Sequence, residues 1–239
     1  MVLFNLPNFF TLFNLLSGCV AVVLVFSSRI ELVPWCVLIS FIADFADGFA
    51  ARFTKSDTEL GKQLDSLADV ISFGLVPGCI MFWLLYESAE KSFGYMSEIK
   101  FFLAAAPAFL LTAFAALRLA KFNIDTRQSE NFIGLATPAA TLFVTGLLLI
   151  VLHNQYHLAD ALLHPLPLYI ITAALAWLMI CEIPMFSFKF RNLSWNENKI
   201  RLVFIGLSCL ILILCKFAAL SVIILLYICL SITLKLFNK

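Results

Sequence analysis

Long apolar runs are the feature of this chain that most limits how it can fold. Residues 8–28 and 135–152 carry no charged side chain, and each run reaches the roughly 18 to 20 residues needed to cross a hydrocarbon core. The chain of 239 residues is 62% hydrophobic and 13% charged, which is too apolar for one soluble globule to bury. The pattern therefore predicts an all-α fold, a polytopic bundle of transmembrane helices.

Hydropathy predicts about eight spanning helices that form a single domain over residues 1–239. The expected spans lie near residues 8–28, 33–53, 60–86, 101–120, 135–152, 167–187, 200–215 and 217–236. The last two are joined so closely that one long helix is an alternative, and this C-terminal part is expected to be peripheral. Gly74, Pro77 and Gly78 predict a weakened or kinked third span. The first span has no basic region before it and no cleavage pattern, so we expect it to be retained.

The positive charges predict how the chain is oriented. If the N-terminus is cytosolic, 12 of the 16 Lys and Arg residues fall in cytosolic segments, as the positive-inside rule expects. Both termini are then cytosolic. The net charge of +1 excludes a mainly electrostatic nucleic-acid binder, because no basic face dominates.

Four aspartates lie within the predicted second and third spans, where ionisable groups are costly and usually mark a functional site. On the second span, a spacing of i, i+3, i+4, i+7 brings one set to a single face: Asp44, Asp47, Gly48 and Ala51. On the third span, a spacing of i, i+4, i+8 does the same for Gly61, Asp65 and Asp69. Ser56 and Glu59 have capping-box spacing, so the third span is expected to begin near residue 57.

An antiparallel hairpin centred near residue 56 would set Asp47 level with Asp65, and Asp44 level with Asp69. Counted from Arg52 with the rise of an α-helix, the four carboxylates would converge about 7 to 12 Å below the cytosolic surface. Such a cluster needs neutralising cations. Oxygen-only ligands favour Mg²⁺ or Mn²⁺, and a pair of such ions is the usual clamp for a phosphoryl group.

Small residues and one arginine border this cluster. Gly48, Ala51 and Gly61 would let a large nucleotide approach the backbone. Arg52 would supply a positive fork for its phosphates. The residues alone therefore predict a metal-assisted phosphoryl site.

Read in order, the motif Asp44-x2-Asp47-Gly48-x2-Ala51-Arg52-x8-Gly61-x3-Asp65-x3-Asp69 resembles the signature of the CDP-alcohol phosphatidyltransferases. The resemblance implies a transmembrane helical enzyme, commonly dimeric, that displaces CMP from a CDP-linked lipid with an alcohol nucleophile. It implies that Asp44, Asp47 and Asp65 hold the metal ions, with Asp69 as general base and further candidate ligand. It also implies that the CDP group contacts Asp47, Gly48, Ala51, Arg52 and Gly61.

Three further segments resemble bacterial and archaeal phosphatidylserine synthases: PNFFTLFNLLSG (Pro7 to Gly18), RLAKFN (Arg118 to Asn123) and GLATPAA (Gly134 to Ala140). This resemblance implies CDP-diacylglycerol as donor and L-serine as acceptor, in a cytoplasmic membrane of bacterial or archaeal type. The chain departs from the subfamily at Lys121, where arginine is usual, and at Ala136, where proline is usual.

A zwitterionic serine needs a cation for its carboxylate and an acceptor for its ammonium group. Arg118, Lys121 and Asn123 enter the expected cytosolic mouth and are the candidate acceptor contacts, Arg118 before the others. The alternative for Arg118 and Lys121 is that they are ordinary positive-inside anchors at a helix end.

Two other functions fit part of the pattern. The same chemistry could use a different acceptor, glycerol 3-phosphate or inositol phosphate, because the aspartate motif reports only the donor. A cation transporter could use the carboxylates as its binding site. Transporters of that kind tend to have repeated halves and sites at the midplane, whereas this sequence shows no repeat and its acids lie toward one surface.

Overall fold

The computed structural model describes residues 5–54, 58–94, 97–125, 132–186 and 195–237, and most of them lie in helices. The helices are α1 Leu6–Phe26, α2 Val33–Thr54, α3 Glu59–Asp69, α4 Val76–Phe93, α5 Glu98–Ala105, α6 Leu110–Ile124, α7 Thr137–Leu152, α8 Ala159–Leu162, α9 Pro165–Ile180, α10 Trp195–Cys215 and α11 Ala219–Phe237. Within this described part, five helical stretches are long and apolar enough to cross a membrane, and α7 and α9 are shorter apolar helices. The predicted all-α polytopic bundle is confirmed.

Helix α1 packs against both α2 and α3, while α2 and α3 themselves make little direct contact. The buried face of α1 is polar toward its start and carries Gly18 farther along, where an added Cβ would lie 2.4 Å from the Ser72 hydroxyl oxygen. Helices α2 and α3 are therefore connected mainly through α1. The site described below lies where these three helices meet.

The third span consists of α3, a π-helical turn over Val70–Leu75 and α4. Pro77 has no N–H, so the carbonyl of Phe73 loses the helical donor that an ordinary residue would supply. Thr141 on α7 donates its hydroxyl to this carbonyl at 3.1 Å, and Thr112 on α6 donates to the carbonyl of Gly74 at 3.0 Å. Neighbouring hydroxyls thus stabilise the irregular turn, as helices in membranes require. The predicted weakening of this span is confirmed in the form of a π-turn.

Helices α10 and α11 form a folded-back pair, which resolves the alternative of one long helix. The rings of Phe204 and Tyr227 lie 6.1 Å apart, centroid to centroid, whereas a continuous helix would separate them by about 35 Å. The chain turns at Lys216, whose φ is +43°. Gln155 stabilises the turn by donating to the carbonyl of Cys215 and accepting from the N–H of Ala218, both at 2.8 Å. Helix α11 packs on α7, and α10 is largely exposed.

Two short strands pair outside the helices, a feature that the sequence did not indicate. Strand β1, Phe132–Ile133, is antiparallel to β2, Pro184–Met185. Gly134 follows β1 with a φ of +77° and donates its N–H to the carbonyl of Ile183. Helix α9 ends at Ile180, earlier than the expected span over 167–187. Pro184 cannot continue a helix, and the residue before it favours extended backbone.

The contact between α7 and α11 is tight at Gly146, where an added Cβ would lie 2.6 Å from the backbone nitrogen of Ser221. We expect Gly146→Ala to destabilise the protein by about 1 to 3 kcal/mol, because backbone has to move. Gly206→Ala is the matched control, since a Cβ at this exposed position of α10 meets no atom within 4 Å. Thermal unfolding in detergent measures both variants. A wild-type midpoint for Gly146→Ala would contradict the described packing.

Candidate active site

Three of the four aspartates form a compact triad between α2 and α3. Asp44 and Asp47 lie one turn apart on α2, Asp65 lies on α3, and each offers an oxygen within 4.8 Å of the others. One carboxylate oxygen of Asp65 is buried without a hydrogen-bond partner among the described residues. An all-oxygen donor set with an unsatisfied buried oxygen suits a hard divalent cation. The residues therefore fit the divalent metal that the sequence predicts.

Asp69 lies one turn beyond Asp65 on α3, outside this triad. It is buried, and its carboxylate interacts electrostatically with Asp44, Asp65 and Asp47. The largest of these three interactions is with Asp44, the residue that the hairpin argument sets level with Asp69.

Polar side chains of α1 hold two of these carboxylates. The Thr11 hydroxyl donates to Asp47 Oδ2 at 2.8 Å, and the Asn14 amide donates to Asp69 Oδ1 at 3.2 Å. The backbone carbonyl of Asn14 in turn accepts from the hydroxyl of Ser72, a residue of the π-turn, at 2.9 Å. Sequence reasoning assigned no role to Thr11 or Asn14. Their spacing of three residues in an otherwise apolar helix, continued by Asn8 and Ser17, was the available signal.

A cavity of about 480 Å³ opens beside the triad. Its walls come from α1, α2 and the start of α3: Pro7, Asn8, Thr11, Asp47, Gly48, Ala51, Arg52, Thr58, Gly61, Lys62 and Asp65. All five residues expected to contact CDP line it. An added Cβ at Gly48 would meet only Arg52, at 3.9 Å, so a larger side chain there would occupy the cavity itself.

Helix α3 begins at Glu59, two residues later than expected. Its N-cap is Thr58, whose hydroxyl oxygen accepts from the N–H of Gly61 at 3.0 Å. The predicted capping box began at Ser56, which lies outside the described residues. The start of α3 is part of the site, because Thr58 and Gly61 both line the cavity.

The far side of α2 is apolar. Phe45, Phe49 and Phe53 are 76%, 62% and 80% exposed, so they point away from the aspartates and into the lipid region. The helical-face interpretation of the sequence is confirmed for α2. Helix α2 thus keeps Asp44 and Asp47 on its inward face.

The three candidate acceptor residues on α6 have different surroundings. Arg118 is buried, lies within electrostatic range of Asp69, and has its guanidinium carbon 5.9 Å from the centre of the Phe122 ring. Lys121 forms an ion pair with Glu182 at 3.6 Å. Asn123 donates to the Ser66 hydroxyl on α3 at 2.9 Å. Arg118 is thus within electrostatic range of an aspartate of the site.

Comparison with known proteins identifies relatives across most of the chain. The sequence model of the CDP-alcohol phosphatidyltransferase family matches residues 4–186. The CDP-diacylglycerol–serine O-phosphatidyltransferase of Helicobacter pylori is 34% identical over 208 residues, which cover 86% of this chain and 81% of that protein. The enzyme of the same name from Bacillus subtilis is 27% identical over 184 residues, 77% of this chain and 91% of that protein. The archaetidylserine synthase of Methanothermobacter thermautotrophicus is 31% identical over 143 residues, 59% of this chain and 56% of that protein.

The triad predicts a measurable metal site. We expect Asp65→Asn to weaken Mn²⁺ binding by at least about 100-fold, because losing a ligand should cost no less than losing a group that only orients one. Titration of the purified protein with Mn²⁺, followed calorimetrically, measures this. Glu98→Gln, a charge loss at an exposed position on α5, is the control and should bind as wild type. Unchanged affinity in Asp65→Asn would exclude Asp65 as a ligand.

Thr11 gives a finer test of the same site. Thr11→Val keeps the shape of the side chain but removes the donor to Asp47, so we expect Mn²⁺ affinity to fall by about 10-fold or more. Thr172→Val is the matched control, because the buried Thr172 hydroxyl donates only to Leu168 within its own helix. Equal affinities for both valine variants would show that the Thr11 hydrogen bond does not orient Asp47.

Proposed function

Because the chain belongs to the CDP-alcohol phosphatidyltransferase family, we propose that it transfers the phosphatidyl group of CDP-diacylglycerol to L-serine, forming phosphatidylserine and CMP. The observation that carries this proposal is the aspartate triad, two members of which, Asp47 and Asp65, line a cavity together with Gly48, Ala51, Arg52 and Gly61. Such a wall offers metal ligands, close backbone approach and a guanidinium group to one pyrophosphate.

Serine is proposed as the acceptor on two grounds. The names of the Helicobacter pylori and Bacillus subtilis relatives specify serine as their substrate. In this chain, the buried Arg118 beside Asp69 offers a guanidinium group, which matches a carboxylate in charge and in planar geometry. Glycerol 3-phosphate and inositol phosphate are the alternative acceptors, and each would bring a phosphate to the same cation.

In the proposed reaction, the serine hydroxyl oxygen attacks the phosphorus that carries diacylglycerol. The P–O bond to CMP breaks as the new bond forms, and the hydroxyl proton passes to Asp69, which the Asn14 amide holds in place. Arg118 binds the serine carboxylate and so brings the hydroxyl group toward Asp69. Arg52 binds a phosphate of the leaving nucleotide.

A divalent cation, Mg²⁺ or Mn²⁺, would be held by Asp44, Asp47 and Asp65, with Asp69 as a further candidate ligand; when bound, it withdraws charge from the attacked pyrophosphate. We propose two such ions per site. Thr11 keeps the Asp47 carboxylate oriented toward the cluster.

The orientation is proposed from the distribution of charge. With both termini in the cytosol, the cavity opens to the side from which serine and the nucleotide part are supplied, while the acyl chains of the donor stay in the lipid. A homodimer, as the family resemblance implies, is likewise a proposal.

The acceptor assay tests the function directly. With purified protein, Mg²⁺ or Mn²⁺ and CDP-diacylglycerol, CMP release should require L-serine and should not be supported by glycerol 3-phosphate or inositol phosphate. Asp69→Asn is the control for chemistry, and we expect it to lower kcat by at least about 100-fold because the general base is lost. Preference for glycerol 3-phosphate would reject serine while leaving the reaction class intact. Release of CMP by Asp69→Asn at the wild-type rate would reject the mechanism.

A further inference from the structure

Helix α11 lies beyond the residues 4–186 that match the family model. Tyr227 on this helix is buried and lies within electrostatic range of Arg118. The guanidinium of Arg118 is itself buried, and its Nε atom has no hydrogen-bond partner in the described part of the chain. Within the described residues, no hydrogen bond at Nε therefore fixes the orientation of this guanidinium group.

The position of Tyr227 is fixed by several contacts. Its hydroxyl donates to the carbonyl of Phe186 at 3.2 Å, and its ring lies 4.9 Å from the ring of Phe186 and 6.1 Å from that of Phe204. A buried aromatic side chain with both its ring and its hydroxyl engaged has little rotational freedom. Tyr227 is therefore a rigid neighbour of Arg118.

The same face of α11 holds the segment that follows α9. Lys235, two turns beyond Tyr227, donates to the carbonyl of Glu182 at 3.4 Å, and the carboxylate of Glu182 pairs with Lys121 on α6. Helix α11 is thus linked through Glu182 to the end of α6 that carries Arg118, the residue within electrostatic range of Tyr227.

We propose that Tyr227 is a positioning residue for the acceptor: it orients the guanidinium of Arg118 toward the carboxylate of the incoming alcohol. A tyrosine hydroxyl donates one hydrogen and accepts at its oxygen. Since its hydrogen goes to Phe186, the Tyr227 oxygen can act toward the guanidinium group of Arg118 only as an acceptor. This inference rests on the proposed function, because it assigns Arg118 to the acceptor.

The test is the steady-state kinetics of Tyr227→Phe. This variant keeps the ring and its packing, and it removes only the oxygen. We expect the KM for serine to rise about tenfold, as for loss of a hydrogen bond to a charged group, with kcat and the KM for CDP-diacylglycerol within about twofold of wild type. Tyr169→Phe is the matched control, because its hydroxyl also donates to a backbone carbonyl, that of Ala104, near the opposite end of the bundle.

A double-mutant comparison with Arg118 distinguishes a positioning role of Tyr227 from a purely structural one. If Tyr227 acts through Arg118, Tyr227→Phe should change the serine KM less in an Arg118→Lys background than in the wild type. The proposal is overturned if the serine KM of Tyr227→Phe is unchanged. It is also overturned if both substrate KM values rise together, or if the effects of the two substitutions are additive. Wild-type enzyme that releases CMP without serine would instead reject the proposed function.

Discussion

Carboxylates within membrane-spanning helices are the constraint on which the rest of this structure depends. A charged group in lipid is stable only with partners, and here the partners come from α1, whose hydroxyl and amide groups bind Asp47 and Asp69. To reach both, α1 packs against α2 and against α3, which make little direct contact with each other. One requirement, the satisfaction of buried acids, therefore explains both the position of the first helix and the cavity beside it.

The sequence predicted the helices well, because an apolar run of this length has few alternatives in lipid. It did not predict how they end and join. The break at Lys216 depends on Gln155, more than 60 residues away, which satisfies the free backbone groups on both sides of the turn. The pairing of β1 with β2 likewise joins two segments that are distant in sequence and carry no strand pattern. Such features depend on tertiary partners, and a local pattern does not contain them.

The aspartates of the site were predictable, since helical spacing alone brings Asp44 and Asp47 to one face. Their partners were not. The hairpin argument considered α2 and α3 alone, so it did not include α1, which packs against both and donates hydrogen bonds to Asp47 and Asp69. Thr11 and Asn14 were visible as polar residues in an apolar run, but a single threonine or asparagine in such a helix is common, and its partner is known only from the fold.

The hydrogen bonds of α1 also have a consequence for how the protein is made. Thr11 finds its acceptor 36 residues later in the chain, and Asn14 finds Asp69 and Ser72 after 55 and 58 residues. During synthesis, the first helix therefore enters the bilayer with a polar face that has no partner. It reaches its final environment only when the second and third spans have been inserted. We therefore expect the earliest stable unit of these helices to comprise α1, α2 and the third span, which together contain all four aspartates.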